Sequence, residues 1–370
     1  MKVLYVITST DVGGAETSLL RLIQTLPRQY TVHVVSLKKR GSLTAQLQAA
    51  GATVSSLNMT GSGLGCVSKL VQEIETFKPD VVHALLFRAI EFARLACAGR
   101  HIKLVTTPHF DLSKKPCWMR LLDRSLKSID TVCTAESAST YNYLLQHQHY
   151  PRSKTLFIGN SVEKSLFFKD NSLKNSMRSQ KGFSQQDIIF ISVARLAVVK
   201  NPQGLLRAFS KILPNSPHAK LVYVGEGPER EELEKFIKEN NLKNKVFLVG
   251  TQQNINDWLN MADVFVLLSK EESLPLALLE AQQVGLPCLV SKAGDMPNQV
   301  EHGKNGFVCN FKDEILAACL LAELYENKEL RQQMGDFSLK KVRGNISSSQ
   351  QYQQLYQQIM NKKSFHVKTF

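Results

Sequence analysis

Glu272 and Glu280 share the stretch Ser269-Lys-Glu-Glu-Ser-Leu-Pro-Leu-Ala-Leu-Leu-Glu280, with seven residues between them. Glu280 is embedded in Leu276, Ala277, Leu278, Leu279 and Ala281. A carboxylate in so apolar a segment needs a partner. A pair of ligand hydroxyls would supply one, and a buried arginine or backbone amides would serve as well. Arg195 and Lys200 stand five residues apart in Val193-Ala-Arg-Leu-Ala-Val-Val-Lys200. A rigid guanidinium fork beside a compact ammonium suits a diphosphate, although the same spacing describes a solvated surface pair. Gly13-Gly14 falls between an apolar run and a helical pattern. Glycines there either bring backbone N–H groups against an anion at a helix N-terminus or merely make a turn. Gly225, in Val222-Tyr-Val-Gly-Glu-Gly-Pro228, allows close approach of a nucleotide or completes a tight turn.

Other chemistries drop out. The full G-x-G-x-x-G fingerprint is missing after Ile7, which disfavours a tightly bound dinucleotide. The nine histidines form no H-E-x-x-H, and no D-x-D pair stands ready to hold a metal on a diphosphate. The seven cysteines are scattered with no C-x-x-C. A disulfide framework and a thiol zinc site are disfavoured, and a reducing cytoplasm is the simplest setting. No apolar run approaches the roughly 18 residues of a membrane span, and Val3–Ile7 is too short for a signal-peptide core.

The elements that must position these residues alternate between strand and helix. With 370 residues, the chain is long enough for two domains. Strands are expected at 3–7, 32–37, 79–83, 103–107 and 131–135, and helices at 15–26, 43–50, 67–77 and 87–97. Continuous apolar runs imply strands covered on both faces, hence a parallel sheet. Residues 164–186 are polar and read as a linker region. A second series follows, with strands at 188–193, 221–224, 246–249, 264–268 and 287–290. The fold class is therefore α/β, with two Rossmann-like halves. The expected domains are 1–165, 166–345 and a helix with tail at 346–370. In that last segment Tyr352, Leu355, Tyr356 and Ile359 form a stripe that needs a surface of the same protein.

With these elements in place, the stretch from Glu272 to Glu280 resembles the E-x7-E motif of the retaining nucleotide-sugar glycosyltransferases of the family-four group. Gly13-Gly-Ala-Glu16 is similar to that family's G-G-x-E loop. Ile158-Gly-Asn-Ser-Val-Glu163 is similar to its P-N-G-V-D segment, and Val193–Lys200 to its phosphate loop. Val224–Pro228 and Gly303–Phe307 resemble two further turns, and the likeness runs to about residue 345. It implies the GT-B fold, two Rossmann-like domains facing a central cleft, with the C-terminal helix packing back on the chain. It implies a catalytic set of His109, Arg195, Lys200 and Glu272. It also implies a donor-binding set of Gly13, Gly14, Asn160, Arg195, Lys200, Gly225, Glu272, Leu274, Leu276, Ala277 and Glu280. Arg195 and Lys200 would neutralise the leaving diphosphate, Glu272 would hold sugar hydroxyls and Glu280 the ribose. No metal and no cofactor are implied.

The implied activity is retaining transfer of a hexose-type sugar from a nucleoside-diphosphate sugar, with UDP favoured and GDP possible. The acceptor would be a glycan or lipid-linked, as in surface polysaccharide, lipopolysaccharide or glycolipid synthesis. An epimerase of the same fold, or a non-catalytic sugar- or lipid-binding protein, are the competing readings. The E-x7-E resemblance argues against the first, and the joint presence of Arg195, Lys200, Glu272 and Glu280 against the second. Ala194, Gly159, Ser161, Asn298 and Ser273-Leu-Pro275 depart from the family pattern and bear on sugar identity.

The net charge is +14, of which +9 falls in residues 1–160 (19 Lys/Arg against 10 Asp/Glu). Within 114–129, Trp118, Leu122, Leu126 and Ile129 fall on one helical face. That pattern fits a basic amphipathic helix on anionic lipid, giving a cytoplasmic, peripherally membrane-associated protein, or an ordinary helix facing the core. Nucleic acid is disfavoured, because no recognised motif appears.

Overall fold

A computed structural model describes residues 1–61, 63–109, 116–343 and 347–361. The chain forms two compact units, Met1–Asn160 with Ile346–Phe370, and Ser161–Asn345. The sequence reading places the first division after residue 165 and treats the tail as a separate segment.

The first unit is a seven-stranded sheet of β1 (Lys2–Ile7), β2 (Thr31–Ser36), β3 (Ala52–Ser56), β4 (Val81–Leu85), β5 (Lys103–Thr107), β6 (Val132–Ala135) and β7 (Thr155–Phe157). Its order is β3-β2-β1-β4-β5-β6-β7 and every pairing is parallel. In β1, Val3, Tyr5 and Ile7 enter one core cluster while Leu4 and Val6 enter another, so both faces are covered. This is the physical basis of the continuous apolar run. β3 and β7 escape the sequence reading because Ala-Thr-Val-Ser-Ser is half polar and β7 has only three residues.

The C-terminal stripe finds its surface here. In the Ser348–Met360 helix, Tyr352, Leu355, Tyr356 and Ile359 are buried in the cluster that holds Val3, Tyr5 and Ile7. Their polar tips are used as well. The Tyr356 hydroxyl lies 2.7 Å from His83 Nδ1 and 3.1 Å from the Tyr5 hydroxyl. His83 Nε2 lies 2.8 Å from Thr107 Oγ1, and Tyr352 reaches Thr134 at 3.1 Å. Burial holds His83 neutral, with its pKa pushed down to about 3.

The helix Cys117–Leu126 has an inverted pattern. Its buried position is Asp123, while Trp118, Leu121 and Leu122 face solvent, Trp118 at 60% exposure. Leu126 and Ile129 are half-buried, so the expected apolar stripe does not form one face. Lys114 and Lys115 lie outside the described residues. Asp123 is drawn inward by Arg94, which is fully buried and pairs with Glu91 at 2.8 Å, Asp123 at 2.9 Å and Asp130 at 2.6 Å. Tyr150 completes the cluster, accepting from Arg94 and donating to Asp123. Three carboxylates exceed what one guanidinium neutralises, and burial raises the Glu91 carboxyl to about 7.

The second unit has six parallel strands: β8 (Ile188–Val193), β9 (Ala219–Val224), β10 (Val246–Leu248), β11 (Val264–Leu267), β12 (Cys288–Ser291) and β13 (Gly306–Cys309). Their order is β10-β9-β8-β11-β12-β13. The expected linker is corrected, because it contains the helix Asn171–Lys181. Asp170 caps its start through Ser172 N and Leu173 N, and Gly182 ends it in the left-handed region. Buried Arg178 ties it to Asp263 at 2.6 Å and to the carbonyls of Met261 and Asp187. With so few apolar residues, the helix is held by ion pairing more than by an apolar stripe. Its hydrophobic pattern therefore carried little signal.

After β9 the chain turns through Gly225 at φ +143°, where a Cβ would meet the Ala194 carbonyl at 2.0 Å. The visible role of this glycine is to let the turn after β9 pack on the turn after β8.

Two outcomes follow. Tyr356→Phe leaves buried His83 Nδ1 and Tyr5 without their shared hydroxyl. It should destabilise the first unit by about 1–3 kcal/mol, read as a lowered denaturation midpoint at unchanged m-value. Gly225→Ala should cost more than about 1 kcal/mol, because both its φ and the space forbid a side chain. An unchanged thermal midpoint for that variant would contradict the packing described.

Candidate active site

In each sheet the strand order reverses direction once, between β1 and β4 in the first unit and between β8 and β11 in the second. Open α/β sheets take ligands outside the carboxyl ends of strands at such points. Gly13 and Gly14 follow β1, Arg195 and Lys200 follow β8, and Glu272 and Glu280 follow β11, whereas His109, Asn160 and Gly225 follow β5, β7 and β9.

In the second unit, the turn after β8 is pinned by Leu196, which is buried. Leu196 N–H donates to Glu226 O, and its carbonyl accepts from Glu229 N, both at 2.9 Å. Anchored in this way, the turn leaves Arg195 exposed, with no ion pair among the described residues. Lys200 closes a short 3-10 turn and crosses to the loop after β11, where its Nζ donates to Glu272 Oε1 at 2.5 Å. Ser269 Oγ donates to the same oxygen at 2.9 Å, and Lys270 N–H donates to Val199 O at 2.8 Å. The two loops are thus stitched by an ion pair and a backbone bond, and Glu272 is nearly buried within them, its side chain only 8% exposed.

A third loop supports this pair. Gly294, after β12, has φ +52°, and a Cβ there would sit 2.3 Å from Glu272 O. Asp295 N–H donates to Ser273 O at 2.8 Å, and Ser291 Oγ donates to Ser269 O at 2.5 Å. Ser269, Ser291 and Gly294 are positioning residues that the sequence reading did not single out. The signal available was small residues at the carboxyl ends of two neighbouring strands.

Glu280 lies inside the helix Leu276–Gln283 and is buried. Pro275 is its N-cap, in extended conformation. Leu274, Leu276 and Ala277 are half-buried around the start of that helix.

In the first unit, Gly13 caps the helix Gly14–Thr25 in extended conformation. The Glu16 carboxylate folds back over it, so that a Cβ on Gly13 would meet Glu16 Oε2 at 2.3 Å. Burial raises the Glu16 pKa. His109 follows β5 with φ +51°. Burial pushes its pKa down to about 4, so the imidazole is neutral at physiological pH. Leu86, after β4, has φ +72° and ψ +151°, a conformation otherwise almost confined to glycine. It was not legible as special, because nothing in its residue type signals strain. Asn160 N–H donates to Glu136 O at 3.1 Å after β6. Among the described residues, no group of three or more His, Cys, Asp or Glu is arranged to hold a metal ion.

Both units match known families. Residues 174–341 match the family described as "Glycosyl transferases group 1", and residues 12–166 match "Glycosyltransferase Family 4". The chain is 28% identical over 308 residues to N-acetyl-alpha-D-glucosaminyl L-malate synthase of Bacillus anthracis, covering 80% of this chain and 79% of that one. It is 28% identical over 247 residues to the UDP-Gal:alpha-D-GlcNAc-diphosphoundecaprenol alpha-1,3-galactosyltransferase of Escherichia coli, 64% of each chain. Among solved structures, Anabaena Alr3699/HepE in complex with UDP superposes with a TM-score of 0.83 at 20% identity, covering 98% of this chain and 100% of that one. With both units accounted for, the chain is a GT-B glycosyltransferase, its first unit of the family 4 type and its second of the group 1 type.

Proposed function

We propose that the enzyme moves a hexose-type sugar from a nucleoside-diphosphate sugar, with UDP as the favoured nucleotide, to a glycan or lipid-linked acceptor with retention at the anomeric carbon. The observation that carries this is the Lys200–Glu272 pair at the reversal point of the second sheet, beside exposed Arg195. Lys200 and Arg195 take the diphosphate, and Glu272 then turns to the sugar hydroxyls. Glu280 takes the ribose hydroxyls. The bond from the anomeric carbon to the phosphate oxygen breaks, the bond to the acceptor oxygen forms, and the acceptor proton passes to the departing phosphate. No residue here is an evident covalent nucleophile, which favours a front-face route. The protein cations supply charge stabilisation that a metal would otherwise provide. Gly13, Gly14, Asn160 and neutral His109 serve as hydrogen-bonding groups toward donor and sugar. Structures of the Anabaena protein with UDP, with UDP and glucose, and with UDP-glucose support the choice of nucleotide. The diphosphoundecaprenol in the Escherichia coli relative's name supports a lipid-linked acceptor.

The second part of the proposal is peripheral attachment to an anionic membrane through the helix Cys117–Leu126. No helix among the described residues is long and apolar enough to cross a membrane. This helix instead turns Trp118, Leu121 and Leu122 outward and is held from behind by Asp123 on Arg94. Arg124 and Lys127 bond the carbonyls of His147, Gln148 and His149 beside it, keeping positive charge next to the apolar face. Interfacial helices combine these features.

Thermal shift with a panel of UDP-, GDP- and ADP-sugars should single out one nucleotide. Glu280→Ala should then weaken that donor by about 1.5–3 kcal/mol, roughly tenfold or more, in a folded protein. Unchanged affinity would remove Glu280 from the donor site. In co-sedimentation, the protein should pellet with anionic and not with neutral vesicles at low salt. Trp118→Ser/Leu121→Ser should pellet less, and equal pelleting with both vesicle types would reject the attachment.

A further inference from the structure

At the amino edge of the second sheet, away from the loops of Arg195 and Glu272, lies a cavity of about 540 Å³. Ligand pockets commonly fall in this size range. Its floor is apolar, formed by Leu259, Val284, Leu286 and Pro287, and its walls carry Lys169, Lys174, Lys328 and Arg331. Asp170 and Asp263 also line it, but both already face protein partners. Asp170 caps the helix Asn171–Lys181 through the amides of Ser172 and Leu173. Asp263 accepts from Lys174 at 2.7 Å, Arg178 at 2.6 Å and Ile189 N–H at 2.8 Å. Among the lining residues four cations face two carboxylates, and Lys169 also lies 3.9 Å from Asp336 in an exposed pair.

Arg331 gives the cavity direction. Its Nη1 is locked by the carbonyls of Leu324 and Tyr325 at 2.7 and 2.8 Å. Its Nε and Nη2 have no hydrogen-bond partner among the described residues. Burial lowers its pKa, and the charges of Asp263 and Glu329 oppose that shift. Such an edge matches an oxyanion. Two helices, Asn171–Lys181 and Lys328–Arg343, contribute first-turn residues to the same wall, which adds the positive ends of their dipoles.

We propose that this cavity binds a small phosphate-bearing anion at a site separate from the donor site, with Arg331 and Lys328 on the phosphate and the apolar floor under the rest of the molecule. The inference does not rest on the donor assignment.

Titration calorimetry with inorganic phosphate and with glycerol 3-phosphate at low salt tests it on the full chain. Binding should be retained in Arg195→Gln/Lys200→Gln, and should fall at least tenfold in Lys169→Glu/Lys328→Glu. The latter two side chains are exposed, so that variant should keep its thermal midpoint. Glycerol 3-phosphate should bind more tightly than phosphate, because it also covers the floor. Loss of binding in the Arg195/Lys200 variant, equal binding in the Lys169/Lys328 variant, or no binding to the wild type would overturn the proposal. A lipid headgroup is the other source of the same chemistry. Pelleting with phosphatidic acid vesicles should therefore be the same for wild type and Lys169→Glu/Lys328→Glu, and a fall in the variant would overturn the assignment to a soluble anion.

Discussion

The ion pair between Lys200 and Glu272 is the interaction on which the candidate site of the second unit turns. It exists because β8 and β11 are neighbours although three crossovers separate them in sequence, so their exit loops face one another. A half-buried pair of this kind is poor evidence for stability, since desolvation offsets much of its Coulomb gain. Its consequence is coupling. A diphosphate that draws Lys200 away leaves a nearly buried Glu272 uncompensated except by the Ser269 hydroxyl. In the proposed reaction the sugar hydroxyls fill that need, so phosphate and sugar are bound best together. A nucleotide lacking its sugar would satisfy the lysine and strand the glutamate.

How much of this was legible depends on where the information sits. The strands of the second sheet could be read because Ile188–Val193 and Val264–Leu267 are apolar on both faces, and that is a composition signal. Arg195, Lys200, Glu272 and Glu280 stood out as candidates because they are charged residues beside or within apolar runs. The contact between Lys200 and Glu272 could not, since 72 residues separate them and only the sheet order joins them. Ser269 and Ser291 act through single hydroxyl bonds and Gly294 through its size, which leave almost no mark in a single sequence. The Asn171–Lys181 helix was hidden for a related reason: Arg178 and Asp170 hold it, and polar residues in a polar run look like a loop.

The first unit uses buried polarity differently. Tyr5, His83, Thr107, Thr134, Tyr352 and Tyr356 form one hydrogen-bonded chain under the C-terminal helix. Each member is buried, and each hydroxyl or ring nitrogen has a partner, so the network specifies one seating of the helix. An all-apolar stripe would have allowed the helix to slide by a turn. The stripe was visible at helical spacing, but its tyrosines gave no hint that their hydroxyls reach across to four strands.

Arg94 imposes a stricter condition. A guanidinium with no solvent exposure must be surrounded by acceptors, and the chain supplies Glu91 from the same helix and Asp130 from the segment before β6. The third acceptor, Asp123, comes from the helix Cys117–Leu126, and bringing it inward fixes the rotation of that helix. With a polar residue turned to the body, the opposite side must carry the remaining residues, and these are Trp118, Leu121 and Leu122. Exposure of a large apolar patch has a standing cost in water that a monomeric protein rarely accepts without use. The same buried charge that orients the helix therefore also creates the apolar face, and the proposed membrane attachment is the arrangement in which that face is covered while Arg94 keeps all of its acceptors.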